Sequence, residues 1–227
     1  MGKHQAMIRY LILGVVLSFL LNGCALYDRF FGTSEEKTPE QLFSEGTERF
    51  EKGDYEAAVN AFQSLKDRYP YNKSVISAEL KIADSLYHRS EYEAAFDAYD
   101  EFEKLHPKDE NIPYVIYQKG MCYFKQVESV DRDQSPAKKA REEFERLVKR
   151  FPKDPYAYNA RKNLRECLIS LAEHELYVGH YYFKMGEYRA AMNRYMYLIQ
   201  HYPDMGQYHE ALEYISKCKE KLSAESG

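Results

Sequence analysis

The 227-residue sequence predicts an all-α protein in which pairs of helices stack into a right-handed α-solenoid. Three observations predict this fold class. A set of one alanine, one aromatic residue and one proline recurs four times, turn-forming triplets recur at matching places, and the pattern from Thr38 onward is helical. Self-similarity at a fixed spacing is typical of repeat architectures, in which each unit buries its apolar face only against its neighbours.

In the recurring set, an aromatic residue follows the alanine by four positions, and a proline follows the aromatic residue by eight. The sets are Ala58/Phe62/Pro70, Ala95/Tyr99/Pro107, Ala140/Phe144/Pro152 and Ala191/Tyr195/Pro203. A small residue lies 12 positions before the alanine at Gly46, Ala83 and Gly179. In the third set it is Gly120, 20 positions before, which predicts an insertion near Val127–Gln134. This spacing is the signature of the tetratricopeptide repeat (TPR), a helix–turn–helix of about 34 residues.

Each residue type in the set has a physical reason. Small residues let the two helices of a pair approach closely, and we expect the aromatic residue to pack against the next pair. Proline ends the second helix because it cannot continue one. The triplets that begin at Gly53, Ser90 and Gly186 are predicted turns, in which glycine supplies a left-handed cap after the first helix.

The domain organisation follows from these sets. We expect a lipoprotein signal peptide at 1–23, a lipidated cysteine with a flexible tether at 24–38, and the solenoid at 39–222. The predicted repeats are 39–72, 76–109, 113–154 and 155–205, followed by a capping helix at 207–222. The region 155–185 is either one long helix or two helices with a kink near 170–173.

The N-terminal segment has the pattern of a secretory signal. A basic start precedes the apolar run Tyr10–Leu21, which is too short to span a bilayer well. An uncleaved N-terminal anchor is the alternative. The end of the segment, Gly23-Cys24, resembles a bacterial lipobox, which implies cleavage before Cys24 and acylation of that residue. Ala25, where an Asp would retain a lipoprotein in the inner membrane, favours the outer membrane.

Composition and motifs exclude several function classes. Without Lys3 and Arg9 of the signal, 30 basic and 36 acidic side chains remain, a formal net charge of −6, so nucleic acid is not an expected partner. No motif for a catalytic nucleophile, a metal site or a phosphate loop is present, so we expect no enzyme activity and no cofactor beyond the lipid on Cys24. Cys122, Cys167 and Cys218 are predicted to be small buried hydrophobes.

The aromatic residues predict a peptide groove. A TPR array curves, and the first helices of successive repeats line its concave face. The residues placed on that face are Phe43, Thr47, Phe50, Leu80, Asp84, Tyr87, Tyr117, Met121, Phe124, Leu176, His180 and Phe183. Such a groove suits an extended or helical peptide with apolar side chains. The alternative is that the tether or a neighbouring helix covers these residues.

Beyond the repeat positions, four segments resemble one family, the TPR lipoproteins of the outer-membrane β-barrel assembly machinery, the Bam complex. They are Arg68-Tyr-Pro-Tyr71; Asn111-Ile-Pro-Tyr-Val-Ile-Tyr-Gln-Lys-Gly120; Asp131-Arg-Asp133 with Ala140-Arg141 and Phe144; and a stretch from Glu175 through Val178, Tyr181-Tyr182, Gly186 and Asn193-Arg194 to Tyr202-Pro203. The resemblance covers essentially the whole chain after the signal.

The resemblance implies a non-enzymatic scaffold on the periplasmic side of the outer membrane. It would dock on the periplasmic domains of the barrel insertase, join other Bam lipoproteins and help receive unfolded outer-membrane proteins. It assigns insertase docking to Arg194, with Asn193, and to the Asp131-Arg132-Asp133 segment. That segment has two other interpretations, a solvated charge run or an internal ion pair that fixes the loop.

Two other functions are weighed against this one. A different periplasmic TPR lipoprotein, acting as an adaptor for cell-envelope or peptidoglycan machinery, remains the alternative, although residues 25–38 are too short for the coiled coil that such proteins often carry. A lipid-anchored enzyme is disfavoured by the lack of clustered nucleophiles or metal ligands.

The lipobox generates a testable prediction. We expect Cys24→Ser to leave the precursor uncleaved and without acyl chains, because the thiol is the group that is acylated. Mass spectrometry of the mature N-terminus checks this result in both proteins. An unmodified N-terminus at another residue of the wild-type chain would show that Cys24 is not the anchor.

Overall fold

A computed structural model of the protein describes residues 36–203 and 205–225, and within them it shows nine helices and no strand. The helices are α1 (Pro39–Glu51), α2 (Tyr55–Arg68), α3 (Ser74–His88), α4 (Tyr92–Leu105), α5 (Ile112–Phe124), α6 (Ser135–Arg150), α7 (Pro155–Lys184), α8 (Tyr188–His201) and α9 (Tyr208–Glu225). The predicted all-α class is therefore confirmed. In the same described part, no helix is both long and apolar enough to cross a membrane.

The described residues divide into two units between Gln41 and Leu42. Near the end of the first unit, Thr38 and Gln41 form a capping box: the backbone N–H of Thr38 donates to Gln41 Oε1 at 2.8 Å, and that of Gln41 donates to Thr38 Oγ1 at 3.3 Å. The second unit contains the solenoid. Its helices pack in chain order, α3 on α2, α4 on α3 and so on to α9 on α8. The signal peptide, Cys24 and most of the tether lie outside the described residues.

Contact between a small residue and an aromatic ring sets the spacing of the helices in three repeats. A β-carbon on Gly46 would lie 2.6 Å from the Phe62 ring, and one on Gly120 would lie 2.5 Å from the Phe144 ring. A β-carbon on Gly179 would overlap the Tyr195 ring in the same way. These separations are shorter than any side chain tolerates, so only glycine permits the observed approach of α1 to α2, α5 to α6, and α7 to α8.

The prediction that each aromatic residue packs against the next pair holds for two of the four rings, and the glycine contacts add a packing partner within the repeat. The rings of Phe62 and Phe144 lie over the glycine of their own repeat. Tyr99 and Tyr195 also contact a ring of the following helix, Tyr114 at 6.4 Å and Tyr214 at 5.4 Å between ring centroids. The reason is geometric: a glycine leaves an indentation on the facing helix of the hairpin, and the ring fills it first.

The predicted turns and stops appear where the repeat pattern placed them. Gly53 and Gly186 have φ angles of 76° and 81°, and the equivalent Ser90 adopts 62° in spite of its side chain. Each second helix ends two residues before its proline, as α2 does at Arg68. The residue before proline is restricted sterically, so the helix stops there.

Helix α7 answers the question that the sequence left open, because Pro155–Lys184 is one continuous helix of 30 residues. Its first half, with Ala157, Ala160 and Cys167, packs in a middle cluster with α4, α5 and α6. Its second half, with Leu171 and Ala172, packs in a C-terminal cluster with α8 and α9. One helix thus joins two hydrophobic cores.

An ion-pair network ties α4, α5 and α6 together beside the middle cluster. Nζ of Lys119, whose side chain is 5% exposed, lies 2.5 Å from Asp100 and 3.2 Å from Glu103. Arg146 bonds Glu103 at 2.6 Å and Glu143 at 2.5 Å. Burial alone would raise the pKa of Glu103, but the bonds from Arg146 and the charge of Lys119 lower it overall. The stabilisation is therefore present above the ordinary carboxyl pKa and is lost as the pH falls through the lowered value.

The glycine contacts predict the effect of adding a single methyl group. We expect Gly179→Ala to lower the free energy of unfolding by about 1–3 kcal/mol, because the new β-carbon overlaps the Tyr195 ring. At an exposed position the same type of change favours the helix. Asn60→Ala, on the exposed side of α2, is the control and should not lower the melting temperature. Equal melting temperatures for Gly179→Ala and the wild-type chain would contradict the packing argument.

Candidate functional site

The structure has an open cleft of about 490 Å³ where α3 faces the first turns of α5 and α7. Its lining is mixed. The lining residues are Ile76, Ser77, Leu80, Lys81, Asp84, Phe102, Asp109, Glu110, Asn111, Tyr114 and Tyr156. Two of the predicted groove residues, Leu80 and Asp84, belong to it. The cleft lies on the face formed by first helices, which is the face that the repeat pattern assigned to peptide binding.

Asp84 is the organising side chain of this cleft. It is 8% exposed, and its Oδ1 atom accepts hydrogen bonds from Tyr99 and Tyr114, both at 2.7 Å. Lys81 Nζ lies 3.7 Å from the other carboxylate oxygen. Burial, followed by the charge of Asp84, raises the pKa of Tyr99 and of Tyr114, so both hydroxyls remain donors at neutral pH. Asp84 is thus a fixed anion at the floor of the cleft.

The rim adds further negative charge and apolar surface. Asp109 and Glu110 stand in the connection before α5, while Ile76 and Tyr156 are exposed on α3 and α7. Against these acids, the described lining of the cleft contributes one cation, Lys81. Carboxylates accept hydrogen bonds and attract positive charge, and the exposed aliphatic and aromatic groups offer contacts to apolar side chains. The arrangement can therefore hold an extended segment with backbone N–H donors and apolar or basic side chains.

The predicted groove residues of the first repeat contact one another and side chains of α2 and α3. The ring of Phe43 contacts Phe62 at 5.7 Å, and Thr47 donates a hydrogen bond to the Phe43 carbonyl at 2.9 Å. Phe50 contacts Tyr55, and Lys81 Nζ lies 4.3 Å above the centre of its ring. All three groove residues are at least partly exposed, so each keeps some surface for a ligand.

Further along, the next helices take up most of the predicted groove. Burial raises the pKa of Tyr87 to about 12, and its ring contacts Tyr92 at 5.5 Å. The hydroxyl of Tyr117 accepts a bond from Asn163 of α7 at 3.1 Å. Met121 accepts from the same amide, and Phe124 packs on Phe144. The predicted groove narrows here because α7 occupies the space beside α5.

The last three residues of the predicted groove, Leu176, His180 and Phe183, are packed against α9. His180 is hydrogen-bonded to Tyr195 at 2.8 Å and to Glu210 of α9 at 3.1 Å. The ring of Phe183 contacts Tyr214 of α9 at 5.1 Å, and Leu176 packs in the same cluster. The capping helix therefore uses these side chains as its own binding surface.

Arg194 and Asn193 lie on the exposed side of α8. As expected, Arg194 points out of the core. It is not free, however: its Nη1 atom lies 3.2 Å from Oε2 of Glu175 on α7. The Glu175 side chain is 12% exposed, whereas that of Arg194 is 45% exposed. Glu175 thus holds the guanidinium of Arg194 from its buried side. The other N–H donors of the guanidinium remain available at the surface.

The Asp131-Arg132-Asp133 segment is exposed. The internal ion pair that was one interpretation of its sequence does not hold the loop. No ion pair of Arg132 occurs within residues 36–203 and 205–225. Asp131 instead accepts from Ser129 at 2.6 Å, and Asp133 accepts from the backbone and hydroxyl of Ser135. Hydrogen bonds from neighbouring serines shape this loop because they reach the carboxylates at shorter range than Arg132 does.

A family model described as outer membrane lipoprotein, YfiO, matches residues 35–226, which is the whole solenoid. The chain belongs to this family.

Several relatives of this chain are described as outer membrane protein assembly factor BamD. The protein of Neisseria meningitidis serogroup B is 28% identical over 93% of this chain and 84% of its own length. The Vibrio cholerae protein is 26% identical over 89% and 90%, and the Rickettsia prowazekii protein is 31% identical over 71% and 64%. The resemblance inferred from the sequence segments is therefore confirmed.

Three polar side chains that hold this structure together could not be singled out from the sequence. Lys119 is the hub of the ion-pair network, and its signal in the sequence was that it is the single charged residue of helix α5. Gln134 is buried and donates to the carbonyls of Ser129 and Arg132. The ring N–H of His174 donates to the Val130 carbonyl at 2.6 Å, which fastens the loop to α7. Nothing local in the sequence indicates the last two contacts.

Residues 36–203 and 205–225 contain no group of three His, Cys, Asp or Glu side chains arranged for a metal ion. The three cysteines found there are free and buried, as predicted, and burial raises the pKa of both Cys122 and Cys167 to about 12. These two thiols are not nucleophiles at neutral pH.

The two tyrosine bonds predict how substitutions of Asp84 differ. We expect Asp84→Leu to cost about 1–3 kcal/mol of folding free energy, because the buried Tyr99 hydroxyl loses its acceptor. Asp84→Asn keeps an acceptor oxygen and should cost clearly less. Urea denaturation of the two variants measures the difference. Equal losses would show that the tyrosine bonds do not stabilise the fold.

Proposed function

We propose that this protein is a non-enzymatic scaffold of the outer-membrane protein assembly complex, the Bam complex. The observation that carries the proposal is the family match over residues 35–226, together with relatives that are named outer membrane protein assembly factors. The solenoid suits a scaffold because stacked repeats present long surfaces on both sides. A different periplasmic TPR adaptor is not favoured, because those relatives are assembly factors.

The proposed location is the periplasmic face of the outer membrane, with Cys24 as the lipid anchor. The family description, outer membrane lipoprotein, supports this location. Several acyl chains on one residue anchor a protein firmly, whereas a single chain binds only marginally. The tether at 25–38 would then connect the lipid to the solenoid.

We infer that the cleft at Asp84 receives an extended segment of an unfolded outer-membrane protein. Strands of such proteins alternate apolar and polar side chains. The apolar side chains would contact Ile76, Leu80 and Tyr156, while backbone N–H groups would donate to Asp84 or to the rim carboxylates. The partly exposed residues of the predicted groove would extend this surface on both sides: Phe43, Thr47, Phe50, Tyr87, Tyr117 and Phe124.

The proposed docking surface for the barrel insertase is the outer side of α8. Arg194 is suited to a partner carboxylate because its planar guanidinium forms two parallel hydrogen bonds, which lysine cannot do. Glu175 holds the group in position before the partner arrives, so little side-chain freedom is lost on binding. Asn193 would add a neighbouring donor, and Asp131, Arg132 and Asp133 would form a second contact on the loop that Gln134 fixes.

Affinity isolation of the tagged protein from mild detergent tests the proposal, with recovery of the barrel insertase as the expected result. Arg194→Gln should remove most of that recovery, because loss of one partner from a desolvated charge pair costs about 2–5 kcal/mol. Glutamine is the better substitution here, since a new carboxylate would repel Glu175 directly.

Two control variants separate docking from folding. Arg189→Gln removes a charge from the start of the same helix, away from the Glu175 pair, and should leave recovery unchanged. Glu175→Gln removes the ion pair between α7 and α8 but leaves Arg194 intact, so recovery should persist. If Glu175→Gln abolishes recovery as fully as Arg194→Gln does, Arg194 only braces the fold. If the wild-type protein recovers peptidoglycan enzymes and no insertase, the proposed function is wrong.

A further inference from the structure

The cleft that α3 forms with the first turns of α5 and α7 is lined by more negative than positive charge. Its lining contains the carboxylates of Asp84, Asp109 and Glu110 and, among the described residues, one ammonium group, that of Lys81. Glu110 is exposed and forms no ion pair or hydrogen bond within residues 36–203 and 205–225. An excess of carboxylates in a concave site attracts a cationic ligand. The lining therefore favours a ligand that brings a positive group.

Asp84 has one carboxylate oxygen that no hydrogen-bond donor reaches. The hydroxyls of Tyr99 and Tyr114 both donate to its Oδ1 atom at 2.7 Å. Its Oδ2 atom accepts no hydrogen bond from the described residues, and Lys81 Nζ, 3.7 Å away, lies beyond hydrogen-bond distance. The residue is nevertheless only 8% exposed, so this oxygen has lost most of its hydration. A bound donor at the floor of the cleft would compensate for that loss.

Lys81 is shared between Asp84 and an aromatic ring. Its Nζ atom lies 4.3 Å above the centre of the Phe50 ring, and its side chain is 38% exposed. The ammonium group therefore offsets only part of the charge of Asp84. It keeps a favourable contact on the Phe50 ring when a second cation approaches the carboxylate.

The depth of Asp84 decides which part of a peptide can reach it. In the proposed complex, apolar side chains of the bound segment rest on Ile76 and Tyr156, which are 39% and 36% exposed at the rim. The backbone of the segment then lies at the level of the rim, where its N–H groups can donate to Asp109 and Glu110. The floor is reached only by a long side chain that ends in a donor. Lysine and arginine are the cationic side chains of that length.

An aromatic wall beside the floor favours arginine over lysine. The ring of Tyr156 packs on Tyr114 with centroids 5.2 Å apart, and on Tyr117 with centroids 5.6 Å apart. The backbone N–H of Tyr156 donates to Asp154 at 2.8 Å, which fixes this first turn of α7. A guanidinium group can stack on an aromatic ring while its N–H groups bond a carboxylate, whereas an ammonium group is more strongly hydrated.

We propose that this cleft selects an arginine side chain of the bound segment, with the guanidinium group on Oδ2 of Asp84 and against the Tyr156 ring. Asp109 and Glu110 add attraction at the rim. The arginine would share one face of the segment with the apolar side chains, since residues two apart in an extended chain point the same way. The inference rests on the proposed function, in which the cleft receives a segment of an unfolded outer-membrane protein. It adds a sequence preference to that role.

Peptide binding to the full lipidated protein in non-ionic detergent tests this preference. The fluorescein-labelled peptides share one alternating sequence of apolar residues and threonine, and they differ at a single position on the apolar face, which is arginine, citrulline or glutamate. Citrulline has the shape of arginine without its charge. Fluorescence anisotropy gives each Kd. We expect the arginine peptide to bind about tenfold more tightly than the citrulline peptide, because hydrogen bonds between charged groups are the stronger kind, and the glutamate peptide to bind most weakly.

Matched protein variants locate the preference in the cleft. Glu110→Gln and Asp84→Asn should each lower the ratio of the citrulline Kd to the arginine Kd. Lys81→Gln should raise that ratio, because it removes the competing cation. Glu93→Gln makes the same charge change on the exposed surface of α4, outside the cleft lining, and should preserve the ratio. Circular dichroism verifies that each variant is folded.

The alternatives give different results. Equal Kd values for the arginine and citrulline peptides, or a ratio that neither Glu110→Gln nor Asp84→Asn lowers, overturns the preference and leaves peptide binding in place. Tightest binding of the glutamate peptide, with loss of that binding in Lys81→Gln, would show that the cleft is an anion site and also overturns it. If no peptide binds, the proposed role of the cleft in receiving segments is wrong, and this inference falls with it.

Discussion

The fold depends on one steric constraint, the contact between an aromatic ring and a residue with almost no side chain on the facing helix. Where Gly46, Gly120 and Gly179 meet their rings, the two helices lie closer than any β-carbon would permit. This approach sets the distance between the two helices of a repeat. That distance in turn decides which side chains reach the next repeat. Tyr99 illustrates the result, since its ring lies in the core while its hydroxyl reaches Asp84 at the floor of the cleft.

Features that depend on local chemistry could be predicted from the sequence. The helix ends, the positive-φ turns and the buried alanines follow from proline, glycine and spacing, which act within a few residues. The continuity of α7 could not be predicted, because no residue between 155 and 184 either requires or forbids a turn. The covering of Leu176, His180 and Phe183 by α9 was one of the two alternatives that the sequence left open, and the sequence could not decide between them. It depends on the length of α7, and therefore on where the last hairpin is placed.

Charge is used in two different ways along this solenoid. Lys119 and Arg146 are enclosed among carboxylates, where each cation is matched and the helices are held in register. At the floor of the cleft, Asp84 accepts from two hydroxyls and has one cation, Lys81, at 3.7 Å. The enclosed charges maintain the fold, whereas the charges that line the cleft remain accessible to a ligand. Arg194 is intermediate, since Glu175 holds it but does not cover it.

Helix α7 has a mechanical consequence. Tyr156 at one end borders the cleft, and Glu175, nineteen residues later, supports Arg194 on the far surface. A helix rises about 1.5 Å per residue, so these groups are separated by roughly 28 Å of one unbroken rod. An array built only from short hairpins can bend at each connection, so a displacement at one end is absorbed within one repeat. In this protein α7 has no hinge between the two sites. A tilt of α7 at Glu175, beside Arg194, therefore also moves Tyr156 at the wall of the cleft.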